Sequence, residues 1–249
     1  MIEKSFQDGI LEICINRLDK KNALNRDMYH ELEALFQQYG NLESCHSIIL
    51  YGAGNCFTAG ADLKDFQTKR TSGDSPAVKF LRALSKSSTP VIAAVEGVAV
   101  GIGATLLQHC DFVYATDDTR FRLPFVALGL SPEGGSTFLL EHIVGRRKAR
   151  DWLITGRFFD GREACDAGLV TEIVKHNCTL DKARETAKLI SELPQSSVRT
   201  TKQMLEEWSQ SQVQTALDNE VRMFAKQLAV SETQSSILAT GKIDNSNDI

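Results

Sequence analysis

Residues 90–121 read PVIAAVEGVAVGIGATLLQHCDFVYATDDTRF, and this stretch decides the fold class. Its first part, PVIAAVEG (90–97), is a near-continuous apolar run, which is typical of a strand buried on both faces of a sheet. FVYA (112–115) is a shorter strand candidate, and the segment between them (102–109) is predicted to be helical. A strand, a helix and a second strand in this order favour a layered α/β structure.

The same alternation extends toward the N-terminus. LEICINR (11–17) alternates apolar and polar residues, which predicts a strand, and a possible hairpin turn precedes it at residues 8–9. A helix is predicted over 25–39, followed by the apolar strand SIILYG (47–52) and a helix near 76–87. The first half of the chain therefore has the order β-α-β-α-β-α-β.

The last third of the chain predicts helices throughout. Their ranges are 161–167, 180–193, 195–209 and 212–229. In the last of them, apolar residues recur along one face at helical spacing. No internal repeat or clear domain break is visible, so the helices beyond about residue 195 must cover either the core of this subunit or a neighbour's.

The composition indicates an ordinary globular protein with no nucleic-acid partner. The chain has 249 residues, 42% hydrophobic and 24% charged, and a formal net charge of −4. The densest basic patch, Arg146–Arg150, is expected to be a solvated face, with contact to a phosphate-bearing small molecule as the alternative. No segment approaches the ~20 apolar residues that a membrane helix needs.

The cysteines and the chain ends predict a cytoplasmic protein. Six cysteines are spread along the chain without a CxxC pair, and we expect them to be reduced. The first residues have no apolar core of signal-peptide length, and the terminal SNDI is not a peroxisomal address.

Glu133, in the stretch LSPEGG (130–135), has two interpretations. In the first, Ser131 is a helix N-cap, Pro132 occupies the first helical position, and Glu133 complements the helix dipole in the first turn. In the second, its carboxylate faces a pocket and acts as a general base. The local sequence favours the first and leaves the second open.

Two glycine-bearing segments follow predicted strands. They are NCFTAGADL (55–63) and GVAVGIGATL (97–106). Glycine at such a place allows either a tight turn into a helix or a close approach of the backbone to a ligand. The second segment does not fit the GxGxxG dinucleotide pattern, so a tight turn is the simpler interpretation.

Five motifs occur together in order and carry a family resemblance. They are DKKNALN (19–25), CFTAGADLKDF (56–66), the stretch 90–121, LGLSPEGGS (128–136) and TGRFFDGREACDAGLVTEIV (155–174). From about residue 5 to 230, the chain resembles the crotonase, or enoyl-CoA hydratase/isomerase, superfamily.

The resemblance implies a fold and an assembly. The fold is an α/β crotonase-type spiral of ββα units with two roughly perpendicular sheets. The core with the CoA and acyl site would span 1–194, and a helical region of the same structural domain would span 195–249. That C-terminal region would support trimerisation, giving a homotrimer or a dimer of trimers.

The resemblance also implies an acyl-CoA thioester substrate, with coenzyme A as part of the substrate and no further cofactor or metal. The backbone amides of Ala61 and Ile102 would hold the negative charge that develops on the thioester oxygen. The positions that match CoA contacts of the family are Asn22, Ala23, Leu24, Ala59, Asp62 and Leu63. Phe125, Leu130 and Ile102 would form an apolar wall near Glu133.

The acids distinguish the reactions within the superfamily. The two glutamates that activate water in hydratases would fall at Thr105 and Phe125, so a hydratase of the usual mechanism is not expected. The chain is most similar to peroxisomal-type Δ3,Δ2-enoyl-CoA isomerases, in which a single glutamate stands at the position of Glu133. That residue would move a proton from C2 to C4 of a 3-enoyl-CoA. Two alternatives remain: hydration or thioester hydrolysis by a water that Glu133 activates, and acyl-CoA binding without catalysis.

The remaining polar candidates have structural interpretations. Asp62 is expected to stabilise a turn, and Asp111 to be a structural hydrogen-bond partner. Glu96 could reach the pocket or pair with a base. Lys242 is the only candidate basic CoA contact near the C-terminus. None of the five histidines stands at a catalytic position of the family, so we predict no metal site and no covalent nucleophile.

Overall fold

The computed structural model describes residues 1–67 and 73–243, and side chains over 1–65 and 73–239. The strands are β1 (Ile2–Gln7), β2 (Ile10–Ile15), β3 (Ser47–Gly52), β4 (Val91–Val95), β5 (Val98–Val100), β6 (Phe112–Ala115), β7 (Arg120–Arg122), β8 (Phe158–Asp160) and β9 (Glu172–Ile173). The helices are α1 (Arg26–Tyr39), α2 (Pro76–Leu84), α3 (Ile102–Thr105), α4 (Ser136–Val144), α5 (Arg146–Thr155), α6 (Gly161–Asp166), α7 (Thr179–Ser191), α8 (Gln195–Glu207), α9 (Gln210–Leu228) and α10 (Ser231–Ile243).

The strands form two sheets. The larger sheet has the order β1-β2-β3-β4-β6-β9, in which only β1 and β2 pair antiparallel. Asp8 and Gly9 join these two strands with positive φ values of 51° and 77°, so the predicted hairpin is confirmed. The smaller sheet has the order β5-β7-β8, with β5 parallel to β7 and β7 antiparallel to β8.

Two pairs of consecutive strands, β4–β5 and β6–β7, divide between the two sheets, as expected for a repeated ββα unit. β4 belongs to the large sheet, and after Glu96 and Gly97 the chain enters β5 of the small sheet. β6 and β7 repeat this step, and after β3 an isolated bridge joins Thr58 to Ala99 of β5. The predicted α/β order is confirmed. The small sheet was absent from the residue-level prediction because three-residue strands are too short to show an alternating pattern.

The helices cover the sheets and brace the segment that precedes α4. α1 packs on α2, and α7 packs across β3 and β4. α9 contacts both α2 and α4, and α10 contacts the 3₁₀ turn Val126–Leu128. The division between a core over 1–194 and a C-terminal region over 195–249 stays a prediction.

Within residues 1–67 and 73–243, no helix is long and apolar enough to cross a membrane. All six cysteines are free thiols in the structure. The cytoplasmic location stays a prediction.

Candidate active site

Glu133 lies in a loop between the 3₁₀ turn Val126–Leu128 and helix α4. The hydroxyl of Thr105, the last residue of α3, donates a hydrogen bond to the Glu133 carboxylate. Gly134 follows with φ of 77°, and a Cβ atom placed on it would lie only 2.9 Å from the Cβ of Thr105. Glycine is therefore needed for this loop to close against α3.

The predicted helix start at Ser131 is wrong. Helix α4 begins at Ser136, and its N-cap is Gly135, whose φ is 75°. Because Gly134 and Gly135 both adopt left-handed backbone conformations, the helix cannot extend back to Pro132. The hydroxyl of Ser131 is buried and has no hydrogen-bond partner among the described residues, so it caps nothing. Glu133 is consequently not a first-turn acid of α4.

Glu220 of helix α9 takes the capping position. One carboxylate oxygen accepts a hydrogen bond from the Gly135 amide at 2.6 Å. The other accepts from the amide and the hydroxyl of Thr137, at 2.8 and 2.7 Å. Glu220 is only 4% exposed. The sequence contains one signal for this residue, because Glu220 is an acid between Leu217 and Phe224 on the apolar face of the predicted helix. The hydrophobic pattern alone does not indicate what such an acid does.

The environment of Glu133 raises the pKa of its carboxyl group to about 7. Burial is the largest cause, the hydrogen bond from Thr105 acts in the opposite direction, and the negative charge of Glu220 raises the pKa further. Ile102, Phe125 and Leu130, the predicted apolar wall, are all buried in the main hydrophobic core. A carboxyl group with this pKa accepts and returns a proton near neutral pH with little free-energy cost in either direction.

The hydroxyl of Thr105 is placed to serve both protonation states of Glu133. Its oxygen also lies 3.4 Å from the carbonyl oxygen of Ile102. It can donate to Glu133 when that carboxylate is ionised, and turn toward the Ile102 carbonyl while accepting the proton of a neutral Glu133. One side chain thereby keeps the half-buried Glu133 carboxyl group paired throughout a proton transfer.

Two other titratable side chains lie near Glu133. The Nε2–H of His109 donates to the Gly134 carbonyl at 2.8 Å, and burial lowers the pKa of this imidazole to about 4, so it is neutral at pH 7. The Tyr29 hydroxyl is buried and has no hydrogen-bond partner among the described residues. Its pKa is raised well above the usual value, mainly by burial and then by the negative charge of Glu133.

The two glycine-bearing segments lie against each other. The Thr58 amide donates to the Val98 carbonyl at 3.0 Å, and the Val100 amide donates to the Thr58 carbonyl at 3.1 Å. Gly60 has φ of 97°, and a Cβ atom on it would lie 2.5 Å from the Val100 carbonyl oxygen. The close approach that glycine permits therefore joins the two segments directly before Ala61 and Ile102.

Neither the Ala61 nor the Ile102 amide has a hydrogen-bond acceptor among the described residues. The Leu24 amide donates to the Gly60 carbonyl at 2.7 Å, and the next amide past Ala61 donates back to the Leu24 carbonyl at 2.8 Å. This pairing leaves the Ala61 N–H outside it. Ile102 begins α3, where the amide has no partner within the helix. Both predicted oxyanion donors are thus without an acceptor in the described part of the chain, and their role stays a prediction.

Asn22 holds the loops together with its side chain. Its amide oxygen accepts from the Arg17 amide at 2.8 Å, and its Nδ2 donates to the carbonyls of Ala53 and Cys56 at 2.9 and 2.6 Å. The residue is fully buried. Its side chain is therefore occupied, and its backbone amide donates to the Arg17 carbonyl at 2.9 Å. The predicted CoA contact of Asn22 stays a prediction.

Asp62 forms an ion pair with Arg17 at 2.8 Å and accepts from the Lys64 amide at 3.1 Å. Burial acts to raise the pKa of Asp62, but the hydrogen bonds from Arg17 and Lys64 outweigh it and the pKa is lowered. This geometry supports the predicted turn-stabilising role. The other predicted CoA contacts lie around the same turn: Ala23 and Leu24 before it, Ala59 and Leu63 on either side of it.

The remaining candidates lie in structural contacts. Asp111 accepts from the Val91 amide at 2.7 Å and pairs with Lys202 at 2.7 Å, as predicted for a structural partner. Glu96 accepts from the Thr179 hydroxyl at 2.9 Å, at the start of α7. The side chain of Lys242 lies outside the described residues.

The surface charges include a basic patch and one cluster of potential cation ligands. In the basic patch, Lys148 pairs with Glu163 at 2.9 Å, while Arg146, Arg147 and Arg150 are exposed. Within the described part of the chain, one group of side chains is close enough to share a cation: Asp117, Asp118 and His176, all exposed.

The fold and the sequence together assign the chain to a family. The profile of the Enoyl-CoA hydratase/isomerase family matches residues 5–244, and the chain belongs to this family. The chain superposes on an enoyl-CoA hydratase/isomerase from Pseudoalteromonas atlantica with a TM-score of 0.92 and 36% identity, covering 97% of each chain. This likeness confirms the crotonase fold.

The similar proteins carry two kinds of names. "Enoyl-CoA delta isomerase 2" of Homo sapiens is 35% identical over 207 residues, 80% of this chain and 52% of the human protein, so the chain spans about half of that relative's length. "Probable enoyl-CoA hydratase echA8" of Mycobacterium bovis is 32% identical over 242 residues, 96% of this chain and 93% of that protein. The protein is therefore an enzyme of the enoyl-CoA hydratase/isomerase family, and these similarities leave the reaction itself open.

Proposed function

We propose that this protein isomerises 3-enoyl-CoA thioesters to trans-2-enoyl-CoA thioesters, with Glu133 as the single acid/base. The observation that carries the proposal is the hydrogen bond between Thr105 and Glu133, a carboxyl group with a pKa of about 7. Thr105 stands where a hydratase would have its first glutamate. Threonine cannot act as a base, but its hydroxyl supports the Glu133 carboxylate, which can. The similarity to the human delta isomerase agrees with this assignment.

In the proposed reaction, Glu133 removes a proton from C2 of the 3-enoyl thioester. The electrons of that C–H bond move toward the thioester carbonyl, and the negative charge on its oxygen is held by the free amides of Ala61 and Ile102. The resulting dienolate takes the proton back from Glu133 at C4, and the double bond ends between C2 and C3. The substrate and product are isomers, so the reaction needs no further reactant. Coenzyme A enters only as part of the substrate.

Exclusion of water separates this reaction from hydration. Phe125 is only 5% exposed and stands where a hydratase would have its second glutamate. An apolar ring at that position does not orient a water molecule for attack on C3. The buried surroundings that raise the pKa of Glu133 also protect the dienolate from protonation by solvent.

The test compares the rates at which wild type and Glu133→Gln convert a 3-enoyl-CoA. The rate is followed by the absorbance of the conjugated 2-enoyl thioester. Glutamine keeps an acceptor for the Thr105 hydroxyl, so the fold should persist while the base is lost. We expect kcat to fall by about 10² to 10⁴, the usual contribution of a positioned base, with CoA-ester binding retained.

The products in the same assay discriminate the alternatives. Formation of 3-hydroxyacyl-CoA or free CoA by wild type, without conjugation, would replace the isomerase by a hydratase or a thioesterase. Tight binding of the thioester without any product would identify a non-catalytic acyl-CoA-binding protein.

We also propose that the chain assembles into a homotrimer or a dimer of trimers. Helix α8 and the residue after it expose large apolar side chains: Met204 at 63%, Leu205 at 77% and Trp208 at 84%. Solvent exposure of three neighbouring apolar side chains is unfavourable, and a second copy of the chain would cover them. Light scattering should give three or six times the 27.5 kDa chain mass, and Trp208→Glu should lower it. A monomeric wild type would contradict the proposal.

A further inference from the structure

Glu220 is a buried acid whose role the proposed reaction has not used. It lies on helix α9 with its carboxylate turned toward the loop that carries Glu133, and all three of its hydrogen bonds go to Gly135 and Thr137. It is the one acid on the buried face of that helix, where the neighbouring buried residues are apolar. A carboxylate in such a position is costly to bury unless its hydrogen bonds serve the structure around it.

The contacts of Glu220 control how the loop ends. The amides of Gly135 and Thr137 are among the first N–H groups of α4, and these have no acceptor within the helix. Glu220 accepts from both, so it fixes the position of the first turn and of the two glycines before it. Glu133 is two residues from Gly135, and its own carbonyl accepts from the Ser136 hydroxyl at 2.5 Å. The same first turn therefore anchors the backbone of Glu133.

We propose that Glu220 is a positioning residue of the acid/base site, which fixes the Glu133 loop from helix α9 and adds a second negative charge behind it. This inference rests on the proposed function of Glu133. Its two parts have separate consequences: the hydrogen bonds set where the carboxylate lies, and the charge sets how readily it ionises.

The other charged and titratable groups near the loop do not supply the same charge. His109 is neutral at pH 7 and bonds the Gly134 carbonyl, and Tyr29 from α1 stays protonated. Lys202 of α8 acts on His109. Of the acids, Glu220 is the one whose negative charge raises the pKa of Glu133.

The test measures kcat and kcat/KM for isomerisation against pH in three variants. Glu220→Gln removes the charge and one hydrogen-bond acceptor. We expect the acid limb of the pH–rate profile, where activity rises as Glu133 ionises, to move down by about 0.5 to 1 pH unit. We expect kcat to fall about fivefold. Glu220→Asp keeps the charge but withdraws it by one methylene, so kcat should fall while the acid limb stays in place. Asp218→Asn is the matched control: it removes a charge from the same helix where Asp218 pairs with Arg82, and neither quantity should change.

A second measurement does not depend on the reaction. The free energy of unfolding is measured against pH for wild type, Glu133→Gln, Glu220→Gln and the double variant. If the charge of Glu220 acts on Glu133, the destabilisation caused by Glu133 still begins near its unfolded pKa, but it levels off at a lower pH and is smaller in total when Glu220 is replaced.

The outcomes separate the two ideas. A shift in the unfolding measurements with no isomerase activity in wild type would support the coupling and sink the proposed function. Isomerase activity with an unmoved acid limb in Glu220→Gln, and unfolding curves that are additive at every pH, would overturn the role of Glu220.

Discussion

Replacing Thr105 with valine should shift the pH dependence of catalysis to higher pH. Valine has the shape of threonine, so the packing of the fully buried Thr105 against Gly134 is kept. The hydrogen bond to the Glu133 carboxylate is lost, and a hydrogen bond to a charged group contributes about 1.5 kcal/mol or more. Since this bond lowers the pKa of Glu133, its removal makes ionisation about tenfold less favourable.

The rate consequence follows from the ionised fraction of Glu133. With a pKa of about 7, roughly half of wild type is ionised at pH 7. A tenfold less favourable ionisation leaves about one tenth, so kcat/KM should fall about fivefold at pH 7 and recover toward wild type near pH 9. Initial rates of conjugation over pH 5 to 10 measure this shift, and Thr105→Ser is the control that keeps the hydroxyl. A loss of the same size at every pH, or an acid limb that moves down, would refute the reasoning.

Three further variants test other parts of the site. The raised pKa of Glu133 means that its contribution to stability is fully present below pH 4.5 and is lost as the pH rises through 7. Above pH 7, Glu133→Gln should therefore be more stable than wild type, by up to about 3 kcal/mol before solvent screening. Urea unfolding at pH 4 and 8 should show the difference only at pH 8. Gly134→Ala should lose activity at least tenfold and lower the Tm, since its Cβ would meet Thr105 at 2.9 Å. Gly145→Ala is the control, because Gly145 has a similar φ (79° against 77°) but no atom within 4 Å of an added Cβ, and it should retain activity. Equal losses in the two variants would contradict the packing argument. Asn22→Asp should reduce the free energy of unfolding by about 3 kcal/mol, because its carboxylate would face two backbone carbonyl oxygens; an unchanged urea midpoint would count against that role.

The sequence predicted the elements whose periodicity is long enough to read. β3 and β6 match their predicted runs residue for residue, and α1 begins one residue after the Asn25 that caps it. β5, β7 and β8 were missed because each has three residues, so neither alternation nor an apolar run can be recognised. Their pairing is a tertiary property, and only the resemblance supplied the second sheet.

The site shows the same division between local and distant information. Ser131-Pro132-Glu133 carries an ordinary helix-start signal, yet the helix begins at Ser136, because the Gly134 backbone must fit against a threonine 29 positions earlier in the chain. Local pattern contains no record of that contact. The predicted N-cap, Ser131, is likewise a local residue, whereas the acid that caps α4 lies on α9, 85 residues from the amide it binds. Glu133 itself was identified from the motif, whereas its raised pKa depends on burial, Thr105 and Glu220, which only the folded structure brings together.

The opposing influences on Glu133 explain how one carboxyl group could serve both halves of an isomerisation. A base that stays ionised at low pH would remove the C2 proton weakly and return it readily; one with a much higher pKa would seldom be ionised to begin with. Burial and the charge of Glu220 move the pKa up, the Thr105 hydroxyl moves it down, and the balance lies at about 7. Thr105→Val and Glu220→Gln should therefore displace the acid limb in opposite directions, and the double variant should return it toward wild type. If both variants moved the limb the same way, the balance of charge and hydrogen bonding would not set the proton affinity of this site.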